Sequence, residues 1–195
     1  MQRNDLLVWV DLEMTSIEDV LVDQITEIAV VLTDKDLNVV AEGPDIIIHA
    51  DRDLIEARRW APEGQFPESD QLKELSALST VSTREAEEEV LAFIQKHVAP
   101  NSSPLCGNSI HADRHFLKIH MPQFEKHLFY RCIDVSTLKE LARRWAPEVY
   151  IEAERRKEHK SHRAKADIIQ SIEELQFYRE HFFNSQDLLG EQSKG

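Results

Sequence analysis

An apolar run, Leu6-Leu7-Val8-Trp9-Val10, ends in Asp11-Leu12-Glu13-Met14-Thr15. Side chains alternate faces along an extended strand, so Asp11 and Glu13 project to one side at the end of a buried strand. Two carboxylates so placed repel each other, and proteins hold such pairs together chiefly around a divalent cation. Hard oxygen ligands suit Mg²⁺ or Mn²⁺. The strand thus predicts a sheet with a metal site at its end, and two further acids are candidates to complete it.

Asp113 follows Pro104-Leu105-Cys106-Gly107-Asn108-Ser109, a short apolar stretch ending in turn residues, which puts it in a loop or at a helix start. Asp167 lies five residues after His162 in a long amphipathic segment. Five helical residues rotate a side chain by about 140°, so both cannot face one site from the same helix. His162 therefore belongs in the loop before the helix, with Asp167 in its first turns.

At 195 residues and 42% hydrophobic content the chain suits one core, read as a single domain over 1–183 with a polar tail at 184–195. No apolar stretch reaches the 18 or so residues of a membrane span. The N-terminus runs straight into the first strand, so neither signal nor transit peptide is expected. Cys106 and Cys132 form no CxxC and fall in expected strands, where buried reduced thiols fit a cytoplasmic setting, a mitochondrial one remaining open. A net charge of −13 ill suits broad neutralisation of a long polyanion. Arg143, Arg144, Arg155, Arg156, Lys157, Lys160, Arg163 and Lys165 nonetheless gather around His162, either as a solvated helix face or as a local basic rim for a substrate with few phosphates.

Periodicity gives an α/β order: strands at 6–12, 25–33 and 39–49, the last two joined as a hairpin through Asp34-Lys35-Asp36. Helices follow at 54–60, 69–78 and 83–98, the last with a capped acidic first turn. A strand at 104–107, helices at 114–119 and 123–127 and a strand at 131–134 come next. Ser136 is expected to cap a helix that Pro147 stops after Trp145. A final helix over 164–182 carries Ala164, Ile168, Ile172, Leu175 and Arg179 as one stripe.

Asp11, Glu13, Asp113 and Asp167 with His162 at this spacing resemble the DEDDh exonucleases. Four blocks sharpen the likeness: Trp9 to Thr15, Leu105 to Ser109, Tyr130 to Leu141 and Ser161-His162-Arg163-Ala164 are similar to the signature blocks of oligoribonucleases, over roughly residues 5 to 183. The resemblance implies an RNase H-like exonuclease fold, a central mixed five-stranded sheet flanked by helices. It also implies a homodimer that trims RNAs of very few residues to nucleoside monophosphates from the 3′ end, with no membrane or protein partner. In that family the four acids hold two Mg²⁺ or Mn²⁺ ions and the histidine takes the proton of the attacking water. The chemistry is sound: two cations about 3.5–4 Å apart stabilise attacking and leaving oxygens, and an imidazole with pKa near 6.5 accepts a proton at neutral pH.

By the same resemblance Met14, Thr15, Ile17 and Trp60 contact substrate, Ile17 as a wedge against a base. Ser109, Arg131, Ser136 and Thr137 match positions that bind the substrate's 5′ phosphate, and Tyr130 one that reaches across the dimer. Three positions depart from the family. Ser16 replaces a glycine, Ala166 replaces an aspartate beside the last catalytic one, and the segment 61–70 lacks a base-stacking histidine, a part that Phe66 can take. A non-catalytic small-nucleotide binding module and a DEDDh nuclease of longer 3′ ends remain as alternatives. A zinc hydrolase built on His111, His115 and His120 lacks the HExxH pattern.

Overall fold

The strand bearing the two acids is the middle strand of a five-stranded mixed sheet. The computed structural model describes residues 2–58, 64–156 and 163–183. In it β1 (Leu7–Met14) lies between β2 (Ile25–Thr33), antiparallel to it, and β4 (Leu105–Gly107), parallel to it. β3 (Val39–Ile47) extends the antiparallel side and β5 (Cys132–Asp134) the parallel side, giving the order β3-β2-β1-β4-β5. A strand covered on both faces needs apolar residues at every position, which is why Leu7 to Val10 show no polar alternation.

Helices cover both faces. On one, Val8, Val10 and Leu12 meet Val90 and Ile94 of α3 (Thr83–His97), Phe116 of α4 (His111–His120) and Phe124 of α5 (Pro122–His127). On the other, Trp9, Val31 and Cys106 meet Ala142 of α6 (Val135–Trp145), Ala153 of α7 (Pro147–Arg156), and Ile168, Ile172 and Tyr178 of α8 (Ala164–His181). Trp9 is fully buried and its Nε1 donates to Thr33 Oγ1 at 2.9 Å, so its single polar atom is satisfied. Continuing the alternation from Trp9, Asp11 and Glu13 fall on the α8 face. α1 (Arg52–Ala57) and α2 (Pro67–Leu78) complete the order between β3 and α3.

Several sequence expectations need correction. β1 runs on to Met14, through a register shift after Glu13, and β3 stops at Ile47. α1 starts at Arg52 because Asp51 caps it, accepting the Leu54 N–H, and α4 starts at His111, which puts Asp113 in its first turn. The cap of α3 is Ser82, in a reciprocal box with Glu85. α6 is capped by Asp134, whose Oδ1 accepts the Ser136 N–H at 3.0 Å; Ser136 is the capped residue and not the cap. Pro147 ends α6 and also opens α7, an unforeseen helix, since the first helical position needs no N–H. On α8 Arg179 is exposed and Leu175 only half-buried, while Ser171, Glu174 and Tyr178 are buried. Cys132 is exposed, unlike buried Cys106.

Candidate active site

β1 delivers the first two acids. Asp11 and Glu13 leave the strand on the face where α8 crosses, and the first turn of α8 brings Asp167 to them. A carboxylate oxygen of each of the three lies within 4.8 Å of the others, and each residue is half-buried. Asp113 reaches the same strand end from α4. Its Oδ1 accepts the Leu12 N–H at 2.9 Å, the amide between the two strand acids, so its carboxylate is fixed beside Asp11 though outside the three-acid group. β4 can run this close to β1 because residue 107 is glycine: a Cβ there would meet Ile110 Cδ1 at 2.8 Å and the Val10 carbonyl at 3.0 Å.

Crowding sets the electrostatics. Burial, then Asp167, Glu27 and Asp113, push the Glu13 carboxyl up to about 8, against the partial relief of Arg163. Burial pushes Asp113 up to about 7, although the Leu12 N–H favours its charged form. Asp11 is raised well above the carboxylate range by burial and then by Asp113 and Glu13. Like charges at about 4 Å and an effective dielectric near 20 repel by about 4 kcal/mol per pair. Three oxygens converging at this cost, all hard donors, fit divalent cations.

A cleft of about 480 Å³ opens where β1 ends, lined by Leu12 to Glu18 with Ala57 and Arg58. Met14 and Ile17 line it, Ile17 being 70% exposed, as a side chain laid against a ligand would be. Thr15 lines the cleft too, with its hydroxyl committed: it donates to buried Asp23 at 3.1 Å and accepts the Gln24 N–H at 3.0 Å, which fixes the rim. Ser16 Oγ accepts the Glu18 N–H at 3.2 Å, so its hydroxyl closes a local turn. Ala166 is exposed, whereas Asp167 joins Asp11 and Glu13.

Ser109 and Ser136 do meet, with hydroxyls 3.1 Å apart, at the exit ends of β4 and β5. Ser109 takes a left-handed backbone (φ 52°) that points its N–H at Asp134 Oδ1 (2.9 Å) and Ser136 Oγ (2.8 Å). Thr137 is exposed one residue further on. Arg131 does not join them within the chain. It precedes β5 at the strand's entry end, about 10 Å of extended chain from its exit, with its guanidinium over Phe129 and Tyr130. Tyr130 lies outside the strand and is 70% exposed. Phe66, half-buried, takes the N-cap position of α2. His162, Trp60, Lys157 and Lys160 and the tail at 184–195 lie outside the described residues.

The described members of the basic run all have ion-pair partners. Arg143 and Arg144 pair with Glu140, Arg155 and Arg156 with Glu152, Lys165 with Glu42 and Arg163 with Glu27. Each of two helix glutamates, at i−3 and i−4, is shared by two of the first four as ordinary surface pairs, which offsets half of their charge. Sequence reading missed Glu27, Asp23 and Arg58, the last joining Asp23 at 2.9 Å and Glu18 at 2.9 Å. An acidic residue whose partner is distant in sequence gives no local signal. Among the described residues no helix is long and apolar enough to cross a membrane.

Comparison with known proteins places this arrangement. The family described as "Exonuclease" matches residues 8–175. Mouse mitochondrial oligoribonuclease is 51% identical over 180 residues, covering 91% of this chain and 73% of the relative; oligoribonuclease of Marinobacter nauticus is 47% identical over 186 residues, covering 94% and 99%. Among solved structures, a zinc-bound E. coli exonuclease I complex with single-stranded DNA superposes with a TM-score of 0.68 at 12% identity, and exonuclease I of Methylocaldum szegediense with 0.62 at 19%. They cover 96% and 92% of this chain, which spans only 43% and 41% of theirs, and they bear out the RNase H-like fold alone. With the sequence relatives added, the chain belongs to the exonuclease family and, within it, to the oligoribonucleases.

Proposed function

We propose that the cleft at the exit of β1 removes nucleotides from the 3′ ends of RNAs only a few residues long, with two Mg²⁺ or Mn²⁺ ions held by Asp11, Glu13, Asp113 and Asp167. The family membership makes the chain a 3′→5′ exoribonuclease of short RNA, and the single observation that carries the metal reading is the convergence of Asp11, Glu13 and Asp167. When bound, the ions supply the positive charge that an in-line displacement at phosphorus needs.

The protein's own part follows from its geometry. Asp11, Glu13 and Asp167 present oxygens from two elements, and the Leu12 N–H orients Asp113 toward them. Met14 and Ile17 receive the terminal nucleotide in the cleft, Ile17 against its base. His162, one residue before the N-cap of α8, takes the proton of the attacking water. Trp60, by the family resemblance, also contacts the substrate.

Ser109, Ser136 and Thr137 receive a 5′ phosphate at the other end of the substrate, beside the N-terminus of α4, which no side chain caps. Arg131 and Tyr130, exposed at the opposite end of β5, serve the equivalent site of a second copy in a homodimer. Two free cysteines suit a reducing compartment, read as the cytoplasm, with the mitochondrion of the mouse relative as the alternative. The test is a digestion series from two to about ten nucleotides with Mg²⁺ or Mn²⁺. Cleavage concentrated on the shortest RNAs supports the reading, preference for long ones reassigns the chain to a longer-end nuclease, and binding without cleavage makes it a binding module.

A further inference from the structure

Glu27 is fully buried on β2, directly opposite Glu13 on β1. Like charges in such a cross-strand pair destabilise a sheet, and a buried carboxylate without partners is costlier still. Glu27 is fully matched. Its Oε1 accepts from Arg163 Nε at 2.9 Å and Nη2 at 2.7 Å, and its Oε2 accepts the Ala164 N–H at 2.9 Å.

Ala164 is the first residue of α8 and Arg163 its N-cap, which makes no side-chain cap bond to its own helix. The first N–H groups of a helix have no partner within it, and an anion there is favourable. Glu27 supplies both acceptor and charge from another strand. The Asp167 N–H bonds the Arg163 carbonyl at 3.0 Å, so the residue gripped by Glu27 begins the turn that presents Asp167. One side chain thus ties the strand-borne acids, through the β1–β2 register, to the helix-borne acid.

We propose that Glu27 and Arg163 are positioning residues that fix Asp167 relative to Asp11 and Glu13, so that the three oxygens converge before any cation arrives. The inference rests on the reading of Asp167 as a metal ligand. Arg163 contributes through its fork, two nitrogens on one oxygen, a grip that lysine cannot reproduce.

The test compares wild type with Glu27→Gln, Glu27→Asp and Arg163→Lys by three measurements: amide hydrogen exchange along α8, calorimetric Mn²⁺ titration, and kcat and KM on a dinucleotide at saturating Mn²⁺. In Glu27→Gln the amides of 164–168 should lose protection while those of 172–178 keep it. Mn²⁺ affinity should fall at least tenfold, and kcat should fall with KM held within about twofold. Arg163→Lys should reproduce these changes more weakly, and serves alone should Glu27→Gln fail to fold. A merely structural role would lower the melting temperature and leave the metal titration unmoved. Unchanged Mn²⁺ affinity in folded variants overturns the proposal, whether or not the first turn loses protection. Variants that behave as expected in a protein that cuts no RNA leave the clamp standing and defeat the catalytic reading.

Discussion

Glu13 and Glu27 face each other across the β1–β2 pair, one opening on the cleft and the other sealed beneath Arg163. Each needs a cation nearby. For Glu27 it is covalently part of the fold; Glu13 has only the partial relief of Arg163 and otherwise holds a proton.

The first prediction is therefore a pH dependence. With Glu13 pushed up to about 8, Asp113 to about 7 and Asp11 raised, the metal-free native state holds protons that the unfolded chain releases near 4. Where the native state binds more protons, stability falls as pH rises, here between about 4.5 and 8. Metal-free protein should melt higher at pH 5 than at pH 8, Glu13→Gln should flatten that slope, and Mn²⁺ binding at pH 7 should release protons in calorimetry run in two buffers. A slope unchanged by Glu13→Gln would show that the carboxyl titrates normally.

Removing single acids should separate function from stability. Asp11→Ala, Glu13→Ala, Asp113→Ala and Asp167→Ala should each nearly abolish cleavage at saturating Mn²⁺. Without metal, Asp11→Ala should be at least as stable as wild type because repulsion is relieved, whereas Asp113→Ala strands the Leu12 N–H and should lose roughly 1–3 kcal/mol. Denaturant titration distinguishes the two. Near-normal turnover in any of the four would remove that residue from the metal site.

His162→Ala should lose about 10²- to 10⁴-fold in turnover and keep its Mn²⁺ affinity, as a proton acceptor would. A large loss of metal binding in the same variant would make His162 a ligand instead.

If Ser109, Ser136 and Thr137 cap a 5′ phosphate with help from Arg131, dinucleotides bearing that phosphate should bind better than those without it. Arg131→Ala should erase most of the preference, about 1.5–3 kcal/mol for a lost charge-assisted contact. Equal affinities in wild type would dismiss the cap.

Ser16→Gly should raise kcat/KM severalfold and leave Mn²⁺ affinity alone, because the side chain lines the cleft and not the acid cluster. The gain is opposed by loss of the Ser16–Glu18 turn, so kinetics on a dinucleotide decide the sign. An unchanged rate means the cleft tolerates the hydroxymethyl group.

What was legible in the chain was whatever repeats locally. Alternation past Trp9 placed Asp11 and Glu13 on one face, and helical geometry separated His162 from Asp167, whose place in the first turn of α8 is borne out. Glu27 was illegible because it sits in an apolar strand as an ordinary polar interruption and its partner is 136 residues away. The basic run stayed between two readings for the opposite reason: its partner glutamates are near neighbours, but a string of charges does not say which are paired. At α6 a hydroxyl and a carboxylate two residues apart both suit a cap, and only the backbone turn shows that Asp134 takes it. Pro147 carries one meaning for the helix it ends and another for the helix it opens.

A last consequence lies in three hydrogen bonds. Ser136 Oγ donates to Asn108 at 3.1 Å, Asn108 Nδ2 donates to Ser171 Oγ at 2.9 Å, and Ser171 Oγ donates to the Asp167 carbonyl at 2.8 Å. The hydroxyl proposed for one end of an RNA and the acid proposed for the other are therefore bolted to the same stretch of helix. With an RNA held as proposed, such a frame would act as a ruler: its span is set at folding, a strand that overshoots it would leave one end unread, and length would be discriminated with no moving part.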